Sequence, residues 1–452
     1  MIKIKIKISS IMMLLLILLV IPCSYSWDCH FLLTYAALKH STKISKNPDV
    51  PAETLEAFLT KTRPELVQVL ADDEQWFHQS LFNYPTLPAY LSFNNINDTT
   101  PIQIKFLQAI RVNPIMKFPL FVQYPPGTTH RIGQNPIKPD QVILPELLVN
   151  NNINVASQPF ESVLPGELLS PLEIITTATD EPDYGMDVNL WDSNTTWFGK
   201  VYGLGEQPFG NKTIAHSSQI PFHMGFYYES NIILKFAPYL KRTYVEYRIH
   251  QYLSLSRFAF STGHNYWGYR FLGWALHYAQ DLTQPYHSSL SPNVSTAKLL
   301  YVNALQLMGF ESPQQKIVQL LTNRHSSIEN YEYYFLKHIM ETNDKDNLTL
   351  QTITDFENDK KYPDYTDNYP RAIIAGESHR LGSSLDSIIK NVFPAKYVSD
   401  PNYLFYQTEP SVNIFKLVEN NEHLELLNQA LNELIRNLGS HTRHIVDYAT
   451  NP

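Results

Sequence analysis

The stretch "YWGYRFLGWALHYAQDLT", residues 266–283, is apolar on nearly every side when wound at helical spacing. A helix of that kind has no face to give to water, so other elements must surround it. The rest of the chain supplies them. "YYESNIILKFAPYLKRTYVEYRIHQYLSLSRFAFSTG" precedes it, and "STAKLLYVNALQLMG", "SSIENYEYYFLKHIMET", "RAIIAGESHRLGSSLDSIIKNV" and "HLELLNQALNELIRNLGSHTRHIVDYA" follow, all with apolar residues at helical spacing. Upstream, "WDCHFLLTYAALKH" and residues 52–82 read as helix, and Ser170, Pro171 and Glu173 form a helix start in "SPLEIITTATDEPD". The predicted class is all-α, one multi-helix domain over 27–452.

Residues 83–167 break the pattern. "NYPTLPAYLSFNNINDTTP", "PPGTTHRIGQNPIKPD" and "NNNINVASQPFESVLPGE" are rich in Pro, Asn and Gly and predict long surface loops. Little apolar periodicity is present there for a separate core, so the segment reads as a loop-rich insertion. A second irregular stretch runs to about Ile220.

The first 26 residues carry Lys3, Lys5 and Lys7, the apolar run "IMMLLLILLVIP" and then "CSYS", with Ser24 and Ser26 at the small positions of a signal-peptidase site. An apolar run of about a dozen residues is short for a membrane span. The expectation is export, to the outside or the periplasm, with cleavage leaving Trp27 as the new N-terminus. Cys29 is then the single cysteine, no intrachain disulfide is possible, and a bound metal becomes an attractive staple. A net charge of −8 without Lys/Arg clusters argues against a phosphate-tracking nucleic-acid surface. Aromatic residues at 13% suit surfaces where an apolar body meets a wet rim, lipid interfaces included, and equally suit cores.

His277 and Asp281 stand at i and i+4 within the apolar helix, and a buried carboxylate there needs a partner, for which a cation serves. Pro285 ends the helix, and His287 can turn back from the loop beyond. "NRHSSIEN" repeats the i, i+4 spacing with His325 and Glu329. Imidazole and carboxylate ligands in this number suffice for more than one zinc ion.

With these residues the chain resembles the zinc-dependent phospholipases C and their relatives, the S1/P1-type nucleases. The motif His-x-x-x-Asp, a few residues, then Pro-x-His is matched throughout residues 277–287. Trp27, freed by cleavage after "SYS", looks like the family's N-terminal tryptophan, which binds zinc through its α-amine and carbonyl, and His30 looks like the early-helix histidine beside it. The resemblance implies three zinc ions: Asp281 bridging one completed by Trp27 and His30 and another completed by His277 with a further Asp and a further His, while His287, His325 and Glu329 take the third. For the further Asp, Asp180 at a helix end is favoured over Asp183, whose Pro-Asp-Tyr context also resembles some members. For the further His, His223 before an aromatic run is favoured over His216. The spacing of roughly 150 residues between His30 and Asp180 departs from compact members and coincides with the insertion.

What the resemblance implies for activity is phosphodiester hydrolysis by zinc-activated water, with Asp180 or Asp183 orienting or deprotonating that water and Asp281 holding the metals. Nuclease members usually end the third-zinc motif with Asp, so Glu329 points to a phospholipid substrate at a membrane surface and to phospholipase C activity, and the acidic net charge points the same way. Tyr184, Phe226, Tyr227 and Tyr228 are candidates to cage a quaternary ammonium headgroup, or equally to pack the core. The alternatives are an S1/P1-like nuclease or nucleotidase and a non-catalytic exported binding protein; the chain is expected to be a monomer. His379, His441 and the helical pair His444 and Asp447 read as ordinary core or surface residues.

Overall fold

The computed structural model describes residues 29–94, 99–125, 135–149, 159–210, 216–342, 347–409 and 411–451. The expected export segment and Trp27 lie outside the described residues. Eight of the helices position the site: α1 (His30–Leu38), α2 (Leu55–Ser80), α3 (Pro171–Ala178), α4 (Val245–Ser261), α5 (Asn265–Asp281), α6 (Ser312–Glu341), α7 (Gly376–Val392) and α8 (Leu424–Thr450). Strand is confined, among the described residues, to segments of two or three residues, so the fold is all-α.

The apolar segment is α5, and every residue from Tyr266 to Asp281 is buried. It packs against α4, α3 and α8, while α1 lies against α3 and α8. Trp267 and Trp274, two turns apart on α5, meet edge to face at 6.2 Å, a contact worth about 0.5–1.5 kcal/mol beyond the area it buries. Gly273 lets α3 approach closely. A Cβ there would stand 2.5 Å from the Ala178 Cβ and 2.8 Å from the Ile175 carbonyl oxygen. α3 begins with a capping box: Ser170 Oγ accepts from the Glu173 N–H at 3.3 Å, and Glu173 accepts from the Ser170 N–H at 2.8 Å.

Among the described residues of 83–167, the expected loops carry more regular structure than their composition suggests. A helix spans Ile102–Ala109, and a three-stranded antiparallel sheet forms from β2 (Phe121–Gln123), β3 (Pro136–Ile137) and β4 (Phe160–Ser162), with β4 in the middle. Phe121 pairs with Ser162 and Ile137 with Phe160. A second ladder joins β1 (Val50–Pro51) to β5 (Leu168–Leu169), closing the segment onto the start of α3. Phe106, Ile110, Val122, Leu147 and Phe160 enter the main core, so these ladders have packing that Pro and Asn counts do not register.

A second, smaller apolar cluster, including Phe209, Phe226, Ile233, Leu290, Leu299 and Val318, lies under the helices Asn231–Phe236 and Thr296–Leu307.

Candidate metal centre

Six structural segments bring the candidate ligands together, with His30 supplied by α1. His277 and Asp281 share one face at the C-terminal end of α5. Gln284, held extended before Pro285, stops the helix, and the short helix Pro285–Ser288 turns His287 back toward it. The Gly225 N–H donates to the His287 carbonyl at 2.9 Å, tying this turn to the helix Ile220–His223. His325 and Glu329 lie one turn apart in α6. Asp180 and Asp183 flank Glu181, whose carboxylate is clamped by Arg270 Nε at 3.0 and 3.1 Å and by Trp274 Nε1 at 2.6 Å, both on α5.

Asp183, His223, His277 and Asp281 surround one point. His277 Nε2 is 3.7 Å from Asp183 Oδ1, 3.5 Å from Asp281 Oδ2 and 3.2 Å from His223 Nδ1. His223 Nδ1 is 2.8 Å from Asp281 Oδ2 and 4.0 Å from Asp183 Oδ1. Four atoms held tetrahedrally at about 2.0–2.1 Å from one ion stand about 3.3 Å apart, so these separations bracket a single cation site. The other Asp281 oxygen, Oδ1, faces His30 Nε2 at 3.3 Å. The carboxylate thus looks in two directions at once. In a third group, His325 Nε2 is 2.7 Å and His287 Nε2 is 3.8 Å from Glu329 Oε1. Three triads have ligand atoms mutually within 4.8 Å: His30, Asp183 and His277; His223, His277 and Asp281; His287, His325 and Glu329. These buried clusters can hold metal ions.

The protonation of the rings follows from their outer partners. His277 Nδ1 lies 2.7 Å from the Thr179 carbonyl and His287 Nδ1 lies 2.9 Å from the His223 carbonyl; a carbonyl only accepts, so each Nδ1 carries the proton and each Nε2 offers a lone pair inward. His30 Nδ1 is held at 2.9 Å by Gln280 Oε1, and the Gln280 amide is itself fixed by donating to Thr34 at 2.8 Å and Thr442 at 3.1 Å. His277 and His287 therefore each aim an acceptor at a carboxylate, which is also an acceptor. Asp281 Oδ1, His223 Nε2, His287 Nε2 and both Glu329 oxygens are buried without a hydrogen-bond partner among the described residues. An orphaned acceptor set of this kind fits a cation and is costly without one.

Electrostatics agree. Burial drives His277 well below the usual imidazole range and His325 down to about 3, so both are neutral and ligand-ready. Burial pushes Glu329 up to about 8. Burial would raise Asp281 as well, but the imidazoles of His277 and His223 beside it outweigh that and hold the carboxylate well below its ordinary value. For His30 burial works downward, and the Asp281 carboxylate beside it reverses that to a net rise.

The geometry takes His223 into the cluster and leaves out His216, a buried ring that burial drives to about 3. It also takes Asp183 and leaves out Asp180, the reverse of the sequence preference. The reason is local. Asp180 accepts from the Phe31 N–H at 3.0 Å and from Gln123 Nε2 at 2.9 Å, whereas Asp183, one 3₁₀ turn later, faces His277. The aromatic residues do not form one cage. Tyr184 donates its hydroxyl to Gln123 Oε1, Phe226 packs on Phe209 in the smaller cluster, the face of Tyr227 is covered by the Arg371 guanidinium at 4.7 Å, and Tyr228 bonds the Arg371 carbonyl. His379 bonds Ser289, buried His441 sits between Tyr369 and Glu377, His444 bonds the Asp359 carbonyl and Asp447 pairs with Lys43.

Three contributors escaped sequence reading. Asp187 Oδ2 stands 3.7 Å from His223 Nε2 while Asp187 is held by Arg248 and by the Tyr278 hydroxyl; its i+4 spacing from Asp183 was the available signal. Gln280 carried none beyond adjacency to Asp281. Gln123 comes from β2 of the insertion, with its N–H on Thr177 Oγ1 at 3.0 Å. No family model, curated protein or solved structure matches the chain.

Proposed function

We propose that the protein is a zinc-dependent phospholipase C, exported after removal of residues 1–26, that cleaves the glycerol-side phosphodiester bond of phospholipids. The observation carrying this reading is the convergence on Asp281 of two nitrogen-and-oxygen ligand groups, with the His287, His325 and Glu329 group beside them. Asp183, His223, His277 and Asp281 would hold one zinc, His30 and the other Asp281 oxygen a second with Trp27, and His287, His325 and Glu329 a third. When bound, zinc polarises a phosphoryl oxygen, brings the pKa of a ligating water to about 7 and clamps attacking and leaving oxygens.

The chain's own residues do the rest. Asp281, kept ionised, would offer one oxygen to each of two cation sites and offset part of their charge. The Thr179 and His223 carbonyls and Gln280 hold the rings in the ligating tautomer. Asp183 would orient the attacking water and accept its proton, a reading supported by both Asp180 oxygens already accepting from Phe31 and Gln123. Water adds its oxygen to phosphorus, the bond from phosphorus to the glycerol oxygen breaks, and that oxygen takes a proton to give diacylglycerol and a phosphorylated headgroup. Glu329 in place of Asp favours lipid over the nuclease reading.

The test is hydrolysis of a phospholipid panel and of single-stranded DNA by zinc-loaded protein, with metal content measured on the same sample. Asp281→Asn is expected to abolish lipid hydrolysis and lower the metal content. Full activity in that variant sinks the mechanism, and hydrolysis of DNA alone transfers the chain to the nuclease reading.

A further inference from the structure

Of 17 large apolar side chains exposed among the described residues, five stand on two adjoining segments: Ile232 (52% exposed) and Phe236 (43%) on the helix Asn231–Phe236, and Tyr301 (63%), Met308 (64%) and Phe310 (62%) on and just after the helix Thr296–Leu307. The two helices pack on each other. Their inner faces, through Ile233 and Leu299, share the smaller apolar cluster, so the outward residues are surplus to the core that holds the helices in place. In the second helix Lys298, Tyr301 and Met308 recur at helical spacing and form one outward stripe. Apolar residues grouped in this way on a protein surface mark a contact face.

Charge selects the occupant. The two segments and the residues that follow carry exposed Lys235, Lys241, Lys298 and Lys316 against exposed Glu311, an excess of three positive charges on a chain of net charge −8. Aromatic, aliphatic and lysine side chains interspersed on a short amphipathic surface are what a headgroup interface takes: rings and Met enter the acyl boundary while lysines meet lipid phosphates. No described helix is long and apolar enough to cross a membrane, so contact here is with the bilayer surface.

The position links this face to the metal centre. The helix Asn231–Phe236 starts eight residues after His223, the helix Thr296–Leu307 starts nine after His287, and the Gly225 N–H bond to the His287 carbonyl joins the two roots. α6, which carries His325 and Glu329, packs against the second of these helices.

We propose that the face formed by Ile232, Phe236, Tyr301, Met308 and Phe310 with Lys235 and Lys298 docks the protein on anionic phospholipid bilayers. This rests on the lipid reading of the metal centre for its purpose, and its test is separable from that reading. The full-length protein is sedimented with vesicles of phosphatidylcholine containing phosphatidylserine, and hydrolysis of a monomeric short-chain phosphatidylcholine is measured in parallel. The variant Tyr301→Ser/Met308→Ser/Phe310→Ser is expected to lose vesicle affinity by about tenfold or more while keeping hydrolysis of the monomeric lipid. Lys235→Glu/Lys298→Glu, at exposed sites, is expected to weaken binding and remove its salt dependence. Vesicle binding by the triple variant equal to that of the unaltered protein overturns the docking face. So does self-association of the unaltered protein that the substitutions abolish, with no vesicle binding, since the occupant is then a second copy. Vesicle binding without hydrolysis of any phospholipid leaves docking standing and overturns the enzyme reading.

Discussion

At the scale of single residues, the candidate metal centre is held by groups that do not themselves face the cation position. Gln280 is the clearest of these: its oxygen receives the His30 Nδ1–H and its nitrogen is anchored by Thr34 and Thr442. Loss of such an orienting partner typically costs about 10–100-fold in metal affinity. Gln280→Leu is accordingly expected to weaken binding by about that factor in a chelator competition, while Gln280→Glu, which keeps the accepting oxygen, retains most of it. Equal affinity in the Leu variant would remove Gln280 from the site. The same logic separates the two aspartates that sequence left open. Their side chains differ by one turn of 3₁₀ helix, Glu181–Tyr184, and no periodicity in "TATDEPDYGMD" says which way that turn faces.

At the scale of elements, the turn faces as it does because Glu181, between the two aspartates, is drawn into α5. Glu181 is 3% exposed, and Arg270, itself 2% exposed, meets it with Trp274 closing the other side. Burial raises Glu181 and the Arg270 charge opposes that rise. Removing one partner of a buried pair leaves an uncompensated charge, so Arg270→Met is expected to cost about 3–5 kcal/mol in denaturant unfolding. Adding Glu181→Leu should recover much of that loss, and a mild Arg270→Met phenotype would show that the pair does not hold the turn. The ligand pairs on α5 and α6 were readable in advance, since i, i+4 spacing fixes a shared face wherever a helix forms, although α6 begins at Ser312, well before His325. The apolar girth of residues 266–281 was readable too. The β2–β4–β3 sheet was not: its strands of two or three residues are too short for alternation to register, and they owe their order to packing by Phe121 and Phe160.

At the scale of the whole molecule, helical spacing pointed to the pairs His277 with Asp281 and His325 with Glu329, the family resemblance pointed to His30 and His223, and neither reached the supports supplied by segments far away in the chain, such as Gln123 and Asp187. Those supports surround a cluster whose protons make the metal-free chain pH-sensitive. Glu329 has its pKa raised from 4.5 to about 8. Between these values the folded state holds a proton that the unfolded chain has released, so metal-free stability falls as pH rises through that window. His325 is lowered from 6.5 to about 3. Between those values the unfolded chain takes up a proton that the folded state refuses, so stability falls as pH drops through it. Above 6.5 the Glu329 effect acts alone of the two. A bound cation keeps Glu329 as a carboxylate and so removes this loss, which ties metal affinity to pH in the same direction. Chelator is therefore expected to lower the unfolding temperature by about 5 °C or more, with a larger drop at pH 8 than at pH 6.5. Glu329→Gln should flatten that difference, because the neutral amide has no proton to give up. A chelator effect equal at the two pH values, measured by thermal unfolding of the full chain, would separate Glu329 from metal binding.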